Sequence, residues 1–190
     1  MFFIIVRNSA HCYLDNNVAR KGIESMNEIF HRVSIRKYEN RPVEREKLMK
    51  ILRAGMQAPS AGNQQPWEFY GVTRPECIQA LAQSHIYAGC AAEAPVLIVP
   101  VYRKEGLLFP GYAQIDMSIA QENMWLETDS LGLGGVWLGI APIKERMDAV
   151  AQILDLPNNV EAFSIFALGY PAEEKPQQDR FDETRIHFVE

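Results

Sequence analysis

The sequence is short of the groups most catalytic and metal-binding proteins use. It has three cysteines, Cys12, Cys77 and Cys90, an odd number with no CxxC spacing. That excludes a disulfide frame, a zinc site and an iron–sulfur ligand set, and it reads as reduced thiols in a cytoplasmic protein. The four histidines, His11, His31, His85 and His187, are scattered without ligand spacing, so no metal site is expected. There is no P-loop and no GxSxG elbow. Gly132-x-Gly134 lacks a third glycine, Trp137 standing in its place, and the run precedes a strand pattern instead of following one, so a dinucleotide-binding fingerprint fails. No apolar run approaches the ~20 residues of a membrane helix. Basic residues are outnumbered, 19 Lys and Arg against 24 Asp and Glu for a net charge of −5, which argues against a nucleic-acid partner.

What is present suits one soluble domain. The 190 residues are 47% hydrophobic and 23% charged, enough for a substantial core. Residues 1–25 do not share the pattern of the rest, and Ser25-Met26-Asn27-Glu28 reads as a capping box. We therefore expect 1–25 to be an extension or leader and 26–190 to be the functional domain. Ile29, Phe30 and Val33 suggest a short helix, and Val43 to Gln57 a longer one. Trp67 to Thr73 reads as a strand. Thr73-Arg74-Pro75-Glu76 is a second capping box, opening a helix to about Ser84. Pro95 to Tyr102 is a continuous apolar run, expected to be a strand buried on both faces.

Tyr112 to Leu131 is the longest helical pattern, apolar around more than one face, which predicts deep burial or burial against a second subunit. Val136 to Ile140 is a further strand, Ile143 to Leu154 an amphipathic helix, and Val160 to Tyr170 a last core strand. The tail from Pro171 is charged and reads as an arm that lies on a partner. Interleaved helices and apolar strands give an α/β or α+β sandwich.

Two stretches carry chemistry. Ala58-Pro59-Ser60-Ala61-Gly62-Asn63-Gln64-Gln65-Pro66-Trp67 offers backbone donors, a hydroxyl and three side-chain amides between two prolines, which suits a flat, polar-edged heterocycle; a solvated connector is the other reading. Arg32, Ser34 and Arg36 fall at i, i+2 and i+4, so both guanidiniums and the hydroxyl can face one anion in extended geometry. A solvated basic patch would look the same. Asp116 on the long helix reads as a satisfied structural carboxylate sooner than as an acid–base group.

The order Arg-x-Ser-x-Arg, the Ala58–Trp67 loop, a long helix running into Gly-Leu-Gly-Gly-Val-Trp-Leu-Gly, then Leu-Gly-Tyr-Pro and an arginine-bearing tail resembles the FMN-dependent nitroreductase family over roughly residues 26–188. The resemblance implies an α+β fold, an α/β/α sandwich with a central, mainly antiparallel sheet flanked by helices, and a homodimer exchanging its C-terminal arm. It implies FMN at the subunit interface, ping-pong hydride transfer from NADH or NADPH, and a small-molecule acceptor such as a nitroaromatic or quinone. A dehalogenase- or oxidase-type flavin enzyme, or a flavin-binding protein without turnover, are the alternatives. Arg32, Ser34 and Arg36 would hold the phosphate and the pyrimidine edge. Pro59, Ser60, Ala61 and Asn63 match the loop that reaches the ring from the other subunit. Trp137, Leu138 and Gly139 would lie against the ring, a backbone N–H there facing flavin N5, and Arg185 matches the tail's phosphate-binding arginine. Glu183 and Thr184 stand where many members carry lysine, and the span from His85 to Pro110 is short, implying an open pocket. With flavin carrying the chemistry, no catalytic side chain is required.

Overall fold

The computed structural model describes residues 27–189; the expected extension lies outside them. Five helices are α1 (Glu28–His31), α2 (Arg45–Met56), α3 (Pro75–Ala82), α4 (Ala113–Ser130) and α5 (Lys144–Leu154). Five strands are β1 (Trp67–Val72), β2 (Val96–Arg103), β3 (Gly134–Gly139), β4 (Val160–Ala162) and β5 (Ser164–Gly169). They form one antiparallel sheet, ordered β1-β2-β5-β3, with β4 pairing β2 beside β5.

The sheet is covered on both faces, as the continuous apolar character of β2 and β5 requires. Val96, Ile98, Phe166 and Leu168 pack with Ile51 of α2 and Met124 and Trp125 of α4. The alternate residues Leu97, Val99, Ile165 and Ala167 pack with Ile78 and Leu81 of α3 and Met147 and Val150 of α5. Period-two alternation thus sorts each strand between two helical layers. The α/β/α arrangement expected from the sequence is present, and among the described residues no helix is long and apolar enough to cross a membrane.

Local details differ. Thr73 does not cap α3: Arg74 is the N-cap and no side chain bonds the free amides there. At α1 the cap position is Asn27, again without a side-chain bond. The α1 helix stops at His31, so Val33 lies beyond it, and Ile29 and Phe30 are exposed. The run from Val160 to Tyr170 is two strands. Pairing with β2 shifts by one residue between β4 and β5, so Phe163 and Ser164 both fall opposite Pro100. Phe163 donates its N–H to the Pro100 carbonyl, 2.9 Å away, closing the bulge.

The chain from Arg32 to Tyr38 is extended and hangs on the outer edge of β3. Ile35 N–H bonds Gly135 C=O at 3.0 Å, and Ser34 bridges Gly135 in parallel. Gly134 permits that approach, since a Cβ there would lie 2.7 Å from Ile35. Tyr38 is buried, and its hydroxyl proton is shared between the carbonyls of Ile35 (2.7 Å) and Ala167 (3.0 Å). Burial holds that phenol protonated well beyond its ordinary range.

Candidate functional site

The loop ahead of β1 is built from inside. Asp116, in the first turn of α4 and only 2% exposed, accepts the Ala61 N–H at 2.9 Å and Gln64 Nε2 at 2.7 Å. Gln64 in turn accepts Phe109 N–H at 2.9 Å and donates to Phe109 C=O at 3.1 Å. Arg103 holds the carbonyls of Gln64 and Gln65, each at 3.0 Å. Gly62, Asn63 and Gln65 all adopt positive φ, and a Cβ at Gly62 would meet Phe109 at 2.7 Å. This is a shaped loop, not a solvated connector: the backbone is strained and the surrounding bonds over-determine it. Asp116 is thereby the structural carboxylate the sequence suggested. Ser60 Oγ accepts Gln65 N–H at 3.0 Å, while Asn63 is exposed and its side-chain amide has no partner among the described residues.

The Arg32–Arg36 strip offers cations at the edge of β3. Arg32 has 14% side-chain exposure and stacks its guanidinium 4.1 Å from the centroid of the Trp125 ring. Its Nε is buried without a hydrogen-bond acceptor, though Glu122 stands 3.3 Å away, so that contact is Coulombic and off the N–H axis. Arg36 is exposed, and among the described residues its guanidinium has no ion pair. The first part of the tail covers this strip's backbone: Glu173 accepts Arg36 N–H at 2.6 Å, Lys175 donates to Ser34 C=O at 3.1 Å, and Ala172 N–H bonds Lys37 C=O. Arg36 N–H and then Lys175 hold the Glu173 carboxyl below its ordinary range. The tail expected to lie on a partner therefore begins by lying on its own chain.

Along β3, the Gly135 carbonyl takes Ile35 N–H and the Gly139 carbonyl takes Arg146 at 2.9 Å. Both face away from β5, so alternation puts the backbone N–H and C=O of Trp137 on the same outer edge. Trp137 is half-buried with its ring 5.5 Å from Phe163, Leu138 is buried, and Gly139 is exposed. A Cβ on Gly139 would meet nothing within 4 Å, so space stands open over the edge there. Gly139 is four residues from Gly135, roughly 13 Å along the strand.

The structure thus brings Arg32, Ser34 and Arg36 beside the edge that carries Trp137, Leu138 and Gly139. It does not bring the others to them within the chain. Among the described residues, no hydrogen bond or ion pair joins Pro59, Ser60, Ala61 or Asn63 to the strip. Arg185 is 83% exposed and pairs with Asp182 at 2.9 Å. Sequence reasoning missed Glu122, Trp125, Glu173 and Arg146. The only signal available was spacing, since Glu122 and Trp125 are i, i+3 on the long helix and can share a neighbour. For an FMN the residues present fit: among the described residues the exposed Arg36 guanidinium has no ion pair and is open to an anion, and Gly139 leaves room for a ring.

A small antiparallel α/β/α sandwich with cations and free backbone donors along one sheet edge is a scaffold for a flat, anionic ligand. Comparison with known proteins narrows that class. A profile of the Nitroreductase family matches residues 29–88 and 78–170. A Methanothermobacter thermautotrophicus protein named for the NADH dehydrogenase/NAD(P)H nitroreductase class is 37% identical over 175 residues, covering 92% of this chain and 91% of its own. A Clostridium acetobutylicum structure bearing an NADH oxidase name is 43% identical, with TM-score 0.83 over 86% of this chain and 99% of that one. An FMN-dependent nitroreductase of Clostridium difficile is 30% identical, with TM-score 0.81 over 87% and 99%. The chain belongs to the nitroreductase family.

Proposed function

We propose that this protein binds FMN and acts as an NAD(P)H oxidoreductase, reducing nitroaromatics, quinones or similar flat acceptors in ping-pong order. The observation that carries the reading is the Arg32–Ser34–Arg36 strip. Its cations lie on the outer edge of β3 with one guanidinium nitrogen buried and unbonded. FMN, when bound, supplies the ring that accepts hydride from NADH or NADPH and passes it on.

The chain's own residues bind and orient. Arg32 and Arg36 give fixed positive charge for a phosphate and for the pyrimidine edge, and Ser34 adds a hydroxyl. Trp137, Leu138 and Gly139 present a backbone edge to the ring, the glycine allowing close approach. In a homodimer, Pro59, Ser60, Ala61 and Asn63 complete the site from a second copy, and Arg185 from a tail. Tyr112 just before α4, Ile115 on α4, and Phe181 and Phe188 in the tail are among the exposed apolar side chains that such an assembly would cover.

The purified protein is expected to be yellow, to bleach with NADH or NADPH, and to recover colour with a nitroaromatic or quinone. Arg36→Ala removes a charge-assisted contact of ~1.5–3 kcal/mol, which weakens FMN binding about 10- to 150-fold. Colourless protein that takes up no FMN, or full flavin occupancy in Arg36→Ala, would contradict the assignment. Flavin that binds but never bleaches would leave a binding protein without turnover.

A further inference from the structure

The face of α4 turned toward the start of the domain is not neutral. Glu122, Trp125 and Asp129 fall at i, i+3 and i+7 and share one stripe. Asp129 holds His31 at 2.7 Å, Glu122 faces Arg32 at 3.3 Å, and Trp125 lies beneath the same guanidinium at 4.1 Å. Two supports therefore act on Arg32, and they do different things. The indole fixes the guanidinium plane by cation–π stacking and needs no carboxylate to do so. Glu122 donates no geometry, because Nε, the nitrogen it faces, is buried and makes no hydrogen bond to it. What Glu122 brings is charge. A carboxylate there both neutralises the arginine and repels an arriving anion.

We propose that Glu122 is a resident anion at the phosphate end of the site: it competes with the FMN phosphate for Arg32 and keeps flavin exchangeable. Trp125 holds the guanidinium fork ready whether or not the phosphate is there. The inference rests on the FMN reading above and adds a residue that restrains affinity instead of raising it. Glu122 is 45% exposed, so solvent screens the effect to the scale of a surface pair.

The test uses full-length Glu122→Gln, Arg32→Ala and the double variant. FMN affinity is titrated by flavin fluorescence on flavin-stripped protein, and release is followed after dilution of the loaded protein. Glu122→Gln keeps the side chain's shape, and a matching melting temperature checks its folding. It is expected to lower the FMN Kd about two- to fivefold, with slower release and a smaller effect at high salt. Arg32→Ala is expected to weaken binding tenfold or more, and Glu122→Gln to add little in its absence. An unchanged or higher Kd in Glu122→Gln, while Arg32→Ala still weakens binding, overturns the competition. Equal tightening with and without Arg32 overturns it too, by assigning the effect to long-range repulsion. An unchanged Kd in Arg32→Ala overturns the phosphate assignment itself.

Discussion

Asp116→Asn tests how firmly the loop ahead of β1 is held, and the cost can be worked from the bonds. The carboxylate spends one oxygen on Ala61 N–H and the other on Gln64 Nε2, at 2.9 and 2.7 Å, in a 2% exposed position. Asparagine fits the space but turns one acceptor into a donor. Whichever way its amide is placed, an N–H then faces an N–H. Gln64 cannot rescue it by flipping, because its oxygen already accepts Phe109 N–H and its nitrogen already serves Phe109 C=O. A flipped Gln64 would only move the clash of donors to Phe109. One buried donor therefore stays unpaired, at ~1–3 kcal/mol, and the surviving bond loses its charge assistance, for about 2–4 kcal/mol in all. In a chain of 190 residues that lowers the melting temperature by about 5–15 °C. Thermal unfolding should show this loss in flavin-stripped protein as well as loaded, since every bond involved lies within the chain. A shift under about 2 °C would mean the network is not what orders the loop.

Two more perturbations probe other parts of the site. Gly139→Ala adds a methyl that meets nothing within 4 Å, so the stripped protein should melt within a degree or two of the parent. If the flavin ring lies against that backbone the same methyl should reduce flavin content, and undiminished retention would place the ring elsewhere. Glu173 gives a pH dependence. Its folded pKa is below the ordinary 4.5, so its contribution is present above 4.5 and is lost as pH falls through the lower folded value. The tail should detach from the Arg36 strip in acid below that value, visible as faster proteolysis beyond Pro171 or faster exchange of the Arg36 amide. Glu173→Gln should show the loosened tail at neutral pH and no further acid step; an acid step that persists would assign it to another group.

Much of the fold could be read from local pattern. The buried β2, the long α4 and the α5 helix ending before Pro157 all follow from periodicity and punctuation within one window. What failed were features decided by a distant partner. The Val160–Tyr170 run looks continuous, and only pairing with β2, where Pro100 has no N–H to give, breaks it at Phe163. The Thr73 capping box is a good local motif, yet the chain enters α3 with Arg74 at the cap position. Ile29, Phe30 and Val33 looked like one face of a helix; the helix ends at His31, and Ile29 and Phe30 stay largely exposed in the described chain.

The same divide runs through the site. Arg32, Ser34 and Arg36 announce themselves because three groups two residues apart face one way in an extended chain, and the strip is extended because Ile35 and Tyr38 tie it to the sheet. Their counter-charges do not announce themselves. Glu122 is ninety positions from Arg32, and Glu173 is one hundred and thirty-seven from Arg36. Neither belongs to a motif. Yet these carboxylates decide how much of the local positive charge is left for a ligand: Glu122 opposes the Arg32 guanidinium, while Glu173 takes the Arg36 backbone N–H and pairs with Lys175, so that among the described residues the Arg36 guanidinium has no ion pair. If the strip holds a flavin as proposed, Arg36 is therefore the stronger phosphate or ring-edge cation of the two, although the motif presents them as equals.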